Sequence, residues 1–347
     1  QAVAPLPDSR GAGLYARLLL NLGSPWPYSV AKHHTARFQA AVDALWASGR
    51  YDLAQVEWTP FASFLNDAVP HLIASHNIEA QIWQRRAAIS RAWVARPYFR
   101  LQAARMRRFE RRAFARARAV TAVSAEDRAT ALGWGASRSS LVANGVDLDY
   151  FQPRPEAAVE PNTLLFVGAL DWFPNQDGVV YFAETILPLL RAQQPDCRLR
   201  VVGRRPSPAL ARRLQGLAGV ELVGEVADVR PYMAAAALLV VPLRVGGGSR
   251  IKIIESLAMD KAVVATTVGA EGLQAVSGTH LLLADTPEQF ARAGALLLQA
   301  PAQAQRLGRS GGRWARQTYN WDDCARALEA AWRGSLDPLR FPLGGAR

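Results

Sequence analysis

Gly246, Gly247 and Gly248 follow an apolar run that ends near Leu243. They lead directly into Ser249, Arg250, Lys252 and Glu255. Glycine lets the backbone adopt positive φ and lets a ligand approach it closely. Ser249 is a good N-cap residue, which puts Arg250 and Lys252 in the first turn of a helix. Cations there oppose the positive end of the macrodipole, at about 0.3–1 kcal/mol each. A bound phosphate or diphosphate reverses that balance, because N–H groups, dipole and both cations then converge on it. Glu255 lies three residues beyond Lys252, on the same side of the helix. One carboxylate accepting two hydrogen bonds suits a ribose diol. The alternative is a surface Lys–Glu pair worth about a few tenths of a kcal/mol. The spacing is neither that of GxGxxG nor that of a P-loop.

These residues need elements to hold them. The second half of the chain alternates apolar runs (TLLFVGAL, LRVVGR, VELVGEV, LLVVPL, AVVATT, HLLLAD) with amphipathic stretches. That pattern predicts a parallel sheet covered on both faces, in a doubly wound, Rossmann-like domain. The first half is similar but sparser, with strands expected at YDLAQVEW, HLIASHN, AVTAVS and SLVANG. The Pro- and acid-rich stretch around 145–162 reads as a linker. The expected division is a Rossmann-like domain over 1–150, a second over 163–320 that carries the glycine-and-cation stretch, and a C-terminal helix and tail over 321–347. Two such domains would face each other across a cleft, with ligands beyond the carboxyl ends of the strands.

The 347 residues are half hydrophobic, enough for sizeable cores. No apolar run is long enough to span a bilayer. The first residues lack the apolar core of a signal peptide. Cys197 and Cys324 read as free thiols of a cytosolic protein. No CxxC or HxxxH spacing argues for a metal. The net charge is +12, and only three of the 41 basic residues are lysines. Arginines cluster from Arg85 to Arg118, interleaved with Trp93, Tyr98, Leu101, Met106, Phe109 and Phe114, with Glu110 as the one acid. Such a segment is either a solvated helix face or a surface for anionic lipid or lipid phosphate. No RNA-binding, helix-turn-helix or zinc pattern accompanies the charge, so nucleic acid is not expected as a partner.

The stretch VGGGSRIKIIESLAMDKAVVATTVGAEGL resembles the nucleotide-binding signature of the group 1 glycosyltransferases of family four, which have the GT-B fold. So does the ordered series DLAQVEW, SHNIEA, VTAVSAEDRATA, NGVDLDYF, LLFVGALDWFPNQDG, VVG and LVGEVADVRPYMAAA. The likeness runs from about Tyr51 to Trp332 and is greatest to bacterial exopolysaccharide sugar transferases. It implies a retaining, metal-independent transfer from a UDP-, GDP- or ADP-sugar, with no cofactor. The acceptor would be a polysaccharide or a lipid-phosphate-linked sugar, met in the cytoplasm or at the inner face of the plasma membrane. The resemblance places Glu255 on the donor ribose, with Arg250 and Lys252 near the diphosphate. Gly246 to Gly248 and Ser249 would face the donor sugar and phosphates. His76 matches a histidine beside the reacting sugar. Gly168 and Asn175 match the loop after the first strand of the second domain, and Val226 a residue whose backbone meets the base. His33 and His34 read as ordinary helix or loop residues.

The sequence departs from that pattern in three places. An acid is often found eight residues before the ribose acid, and Gly247 stands there instead. Ala169 and Asn175 stand where cations are expected, which shifts the diphosphate load to Arg250 and Lys252, with Arg204 or Arg205 as auxiliaries. The opening strand and glycine-rich loop of the first domain are expected to be missing. A nucleotide-sugar binder impaired in transfer is therefore the alternative expectation to an active enzyme.

Overall fold

The computed structural model describes residues 12–90, 92–247 and 250–336. They form two units: residues up to Ala143 together with those from Ala325 onward, and Asn144–Cys324. The run around 145–162 counts with the second unit. Val146 N–H donates to the Tyr319 carbonyl at 2.8 Å, and the Arg230 guanidinium lies 3.5 Å from the centre of the Tyr150 ring.

The first unit opens with three helices, α1 (Ala12–Leu22), α2 (Tyr28–Ala31) and α3 (Ala36–Ala47). Then follow β1 (Ala54–Val56), β2 (His71–Ser75), α4 (Glu79–Ile89), α5 (Arg96–Arg116), β3 (Ala119–Ala122), α6 (Ala125–Gly133) and β4 (Ser139–Leu141). The four strands are parallel in the order β1-β2-β3-β4. Every residue of β2 and β3 is buried, as two covered faces require.

The basic segment is not one helix. It breaks after Ile89, passes through a 3₁₀ turn at Trp93–Ala95, and resumes at Arg96 with Pro97 in the first turn, where a missing N–H costs least. Its one acid is buried. Glu110 accepts the N–H groups of Glu79 and Ala80 at 2.8 and 3.1 Å and so caps α4 from a neighbouring helix. Burial holds its carboxyl well above the usual range. His33 and His34 pack edge-on or stacked against Trp58, Phe61 and Phe64, and burial lowers the pKa of both.

The second unit runs β5 (Glu160–Val167), α7 (Phe173–Tyr181), a π turn, α8 (Leu187–Arg191), β6 (Arg198–Val202), α9 (Pro208–Gln215), β7 (Val220–Gly224), α10 (Arg230–Ala235), β8 (Ala236–Val241), α11 (Ile251–Ala258), β9 (Ala262–Ala265), β10 (Leu282–Leu283), α12 (Pro287–Gln299) and α13 (Pro301–Thr318). The helix α14 (Trp321–Ser335) follows, assigned to the first unit from Ala325 on. Six parallel strands lie in the order β10-β9-β8-β5-β6-β7. Leu164, Leu165 and Phe166 of β5 are wholly buried, each worth about 1.5–3 kcal/mol of transfer free energy. The chain winds outward from β5 to β7, then returns to the other side of β5 with β8. The winding direction therefore reverses between β5 and β8, and a crevice opens beyond their carboxyl ends at such a point.

Candidate active site

The residues after β5 and β8 meet at that reversal. Lys252, the second residue of α11, reaches from the β8 side. Its Nζ donates to Asn175 Oδ1 at 2.8 Å and lies 4.7 Å from the centre of the Phe166 ring. Asn175 is fixed in turn, its Nδ2 donating to the Ala169 carbonyl at 2.9 Å. Gly168 makes room for both. A Cβ there would stand 2.7 Å from Lys252 Nζ and 2.9 Å from the Asn175 amide. The loop after β5, which lacks cations of its own, thus receives its cation from α11.

Glu255 lies one turn along α11, half-buried. Burial lowers the Lys252 ammonium to about 7, with Arg250 adding repulsion and Glu255 opposing. Burial raises Glu255 to about 7, with Lys252 opposing. Each group is costly to charge in the ligand-free protein. Perturbed titration of this kind concentrates at functional sites.

Arg250 is held by carbonyls of the surrounding loops. It is the N-cap residue of α11, in the position expected for Ser249; Ser249 and Gly248 lie outside the described residues. Its guanidinium turns back into its own loop, donating to the carbonyls of Gly247 and, at 3.0 Å, Val268, with Glu271 at 3.9 Å. A Cβ on Gly246 would meet that guanidinium at 2.5 Å. Arg250 therefore braces the Gly246–Gly247 turn and stays close enough to repel the Lys252 ammonium at the β5–β8 reversal. Arg204 and Arg205 lie exposed after β6, and Arg205 NH1 is 3.8 Å from Asp171. Val226 is half-buried in the loop between β7 and α10. There Arg230 clasps Asp228 at 2.8 Å.

Two contributors carry no motif. Asp177 on α7 holds Arg244 through a two-pronged pair at 3.0 and 2.6 Å, tying the loop after β8 to α7. Thr266 Oγ1 accepts from Gly269 N–H at 2.8 Å and shapes the turn that presents the Val268 carbonyl. Only the spacing of a Thr and a Gly after an apolar strand could have flagged the second.

In the first unit, His76 follows β2 and Glu57 follows β1. His76 Nε2 and Glu57 Oε2 are 3.1 Å apart, both largely exposed.

Residues 161–300 match the model of "Glycosyl transferases group 1", and residues 7–150 match "Glycosyltransferase Family 4". The chain belongs to the group 1 glycosyltransferases and has their GT-B fold. Sucrose-phosphate synthase from Thermosynechococcus elongatus superposes with a TM-score of 0.70 at 22% identity, covering 86% of this chain and 77% of that one. HepE of Anabaena, in complex with UDP and glucose, superposes with a TM-score of 0.64 at 14% identity, covering 84% and 80%. An uncharacterized 44.6 kDa protein in the cps region of Klebsiella pneumoniae is 24% identical over 136 residues, which are 37% of this chain and 35% of that protein. The match thus spans about a third of that relative's length.

Proposed function

We propose that the protein moves a sugar from a nucleotide-diphosphate donor to a polysaccharide or lipid-linked acceptor, with retention at the anomeric carbon and without a metal. The observation that carries this is Lys252, seated by Asn175 and Gly168 at the β5–β8 reversal with Glu255 one turn on. Lys252 meets the diphosphate and Glu255 the ribose. The bond between the anomeric carbon and the β-phosphate oxygen breaks, and its electron pair goes to that oxygen. The acceptor hydroxyl oxygen bonds to the anomeric carbon from the same face, and its proton passes to the departing phosphate. Negative charge grows on the diphosphate as the bond lengthens, so the fixed ammonium stabilises the transition state more than the ground state. Arg250, by bracing the loop, keeps the Gly246–Gly247 backbone facing the donor. A UDP donor is favoured by the fold it shares with HepE, which was solved with UDP and glucose.

The basic face supplies the second element of the proposal. On α5, Arg100, Arg107, Arg108, Arg111 and Arg112 are exposed along one side, and the helix's single acid is buried. Between α4 and α5 lies a recess of about 530 Å³ lined by Gln81, Gln84, Arg100, Arg107 and Trp134 among others. Trp93, in the turn that joins α4 to α5, is 77% exposed. Charge, headgroup-sized recess and exposed indole suit an anionic lipid surface. Among the described residues no helix is long and apolar enough to cross a membrane.

The test is a panel of UDP-, GDP- and ADP-sugars, followed by thermal melting, nucleotide release and the configuration of the product. One donor should raise the melting temperature and yield a retained glycoside. Release with inversion would overturn the mechanism, and stabilisation without release would favour the impaired binder. In parallel, the protein should sediment with anionic vesicles and not with zwitterionic ones, and Arg107→Glu with Arg111→Glu should abolish this. Equal sedimentation with both vesicle types would refute the lipid surface.

A further inference from the structure

The His76–Glu57 pair is the end of a longer chain of hydrogen bonds. Gln55 and Glu57 are two residues apart on and just past β1, so they stand on one side of that strand. Trp332 of α14 donates its indole Nε1–H to Gln55 Oε1. Gln55 Nε2 donates to Glu57 Oε1, and Glu57 Oε2 meets His76 Nε2 at 3.1 Å. The chain has a direction. An indole N–H can only donate, so the Gln55 carbonyl must face Trp332 and its NH₂ must face Glu57. An ionised carboxylate can only accept, so both of its named neighbours must donate to it. His76 therefore holds a proton on Nε2, which in the neutral ring leaves Nδ1 its lone pair.

We infer that Trp332, Gln55 and Glu57 are positioning residues that fix the ring of His76 and its proton for the proposed sugar transfer. This rests on the proposed function and on the role that the resemblance implies for His76. The ring's orientation and its single accepting nitrogen are then set by a helix at the far end of the sequence. A histidine free to rotate would offer a donor or an acceptor indifferently, and would have to be ordered each time a sugar bound.

Two readouts keep this inference separate from the glycosyltransferase reading. The first is the nitrogen and imidazole-proton NMR of His76 in the ligand-free protein. Wild type should show an unprotonated Nδ1 and a hydrogen-bonded Nε2–H. Glu57→Gln should abolish that proton's protected signal, and Trp332→Phe should shift it. In the neutral ring, a proton on Nδ1 in place of Nε2, or a signal indifferent to both substitutions, overturns the chain whatever the activity. The second is transfer kinetics. Glu57→Gln should lower kcat about ten- to a hundredfold, the scale of a misplaced group, with the nucleotide's own affinity unchanged. Trp332→Phe should lower it less, and adding it to Glu57→Gln should cost nothing more, because the two act through one chain. Additive losses would overturn the coupling. An intact NMR signature with no transfer from any donor would instead refute the proposed function and leave the chain standing.

Discussion

Lys252→Met should make the ligand-free protein more stable while weakening its hold on a nucleoside diphosphate. The ammonium is held half-neutral near pH 7 by burial, and a group in that state opposes folding. Replacing it with an apolar side chain of similar length removes a penalty on the order of a few kcal/mol. The lost hydrogen bond to Asn175 and the contact with Phe166 offset part of it. A net gain of about 2 kcal/mol would raise the melting temperature by several degrees. A charged hydrogen bond to the diphosphate is worth about 1.5–3 kcal/mol, so affinity should fall roughly ten- to 150-fold. The pH dependence identifies the cause. The folded pKa of Lys252 lies below its unfolded value of 10.5, so the wild-type penalty is full below about 7 and disappears as pH rises toward 10.5. Glu255 behaves oppositely. Its folded pKa is raised, so its penalty is absent below 4.5, grows through 4.5 to about 7, and persists above. Denaturant unfolding across pH 5–10 should therefore show the Lys252→Met advantage shrinking with alkali. An advantage that grows instead would contradict the assignment.

Two glycines that nearly touch should give opposite results. A Cβ on Gly203 would stand 1.9 Å from the Gly168 carbonyl oxygen, which is backbone. Gly168 N–H bonds the Val202 carbonyl at 3.0 Å, and Gly203 N–H bonds the Gly224 carbonyl at 2.8 Å, so neither strand end can yield alone. Gly203→Ala should cost about 3 kcal/mol or more, the upper range of overpacking. Gly168→Ala strikes side-chain ends, Lys252 Nζ and the Asn175 amide, which can move aside. It should fold nearly as well as wild type yet lose at least about tenfold in nucleotide affinity, because the ammonium is displaced. Urea unfolding of both variants, with titration of the folded one, checks this. Equal stability of the two would show that the β5 and β6 ends are looser than described.

The glycine-to-cation stretch and the alternation of strands and helices were legible because their signals are local. Apolar runs at LLFV and LLVV can be little else than covered strands, and a Lys and a Glu three apart share a helix side whatever the fold. The split of the cation pair was not legible. Arg250 and Lys252 both read as first-turn cations, and only the carbonyls of Gly247 and Val268 show that one of them is held as a brace of the loop. Asn175 reads as a lost cation in sequence, whereas in space its carbonyl oxygen seats one from the first turn of α11. Glu110 reads as a stray acid on a basic face and proves to be a buried cap. The chain from Trp332 to His76 joins residues 277 apart at its first link, a separation no local pattern encodes.

The central claim is that Lys252 and Glu255 divide a nucleoside diphosphate between them, one on the phosphates and the other on the ribose. Calorimetric titration of wild type, Glu255→Ala and Lys252→Ala with UDP and with inorganic diphosphate tests this division. Glu255→Ala should weaken UDP about tenfold or more and leave inorganic diphosphate unchanged, while Lys252→Ala weakens both. UDP affinity unchanged by Glu255→Ala, or inorganic diphosphate affinity unchanged by Lys252→Ala, would contradict it.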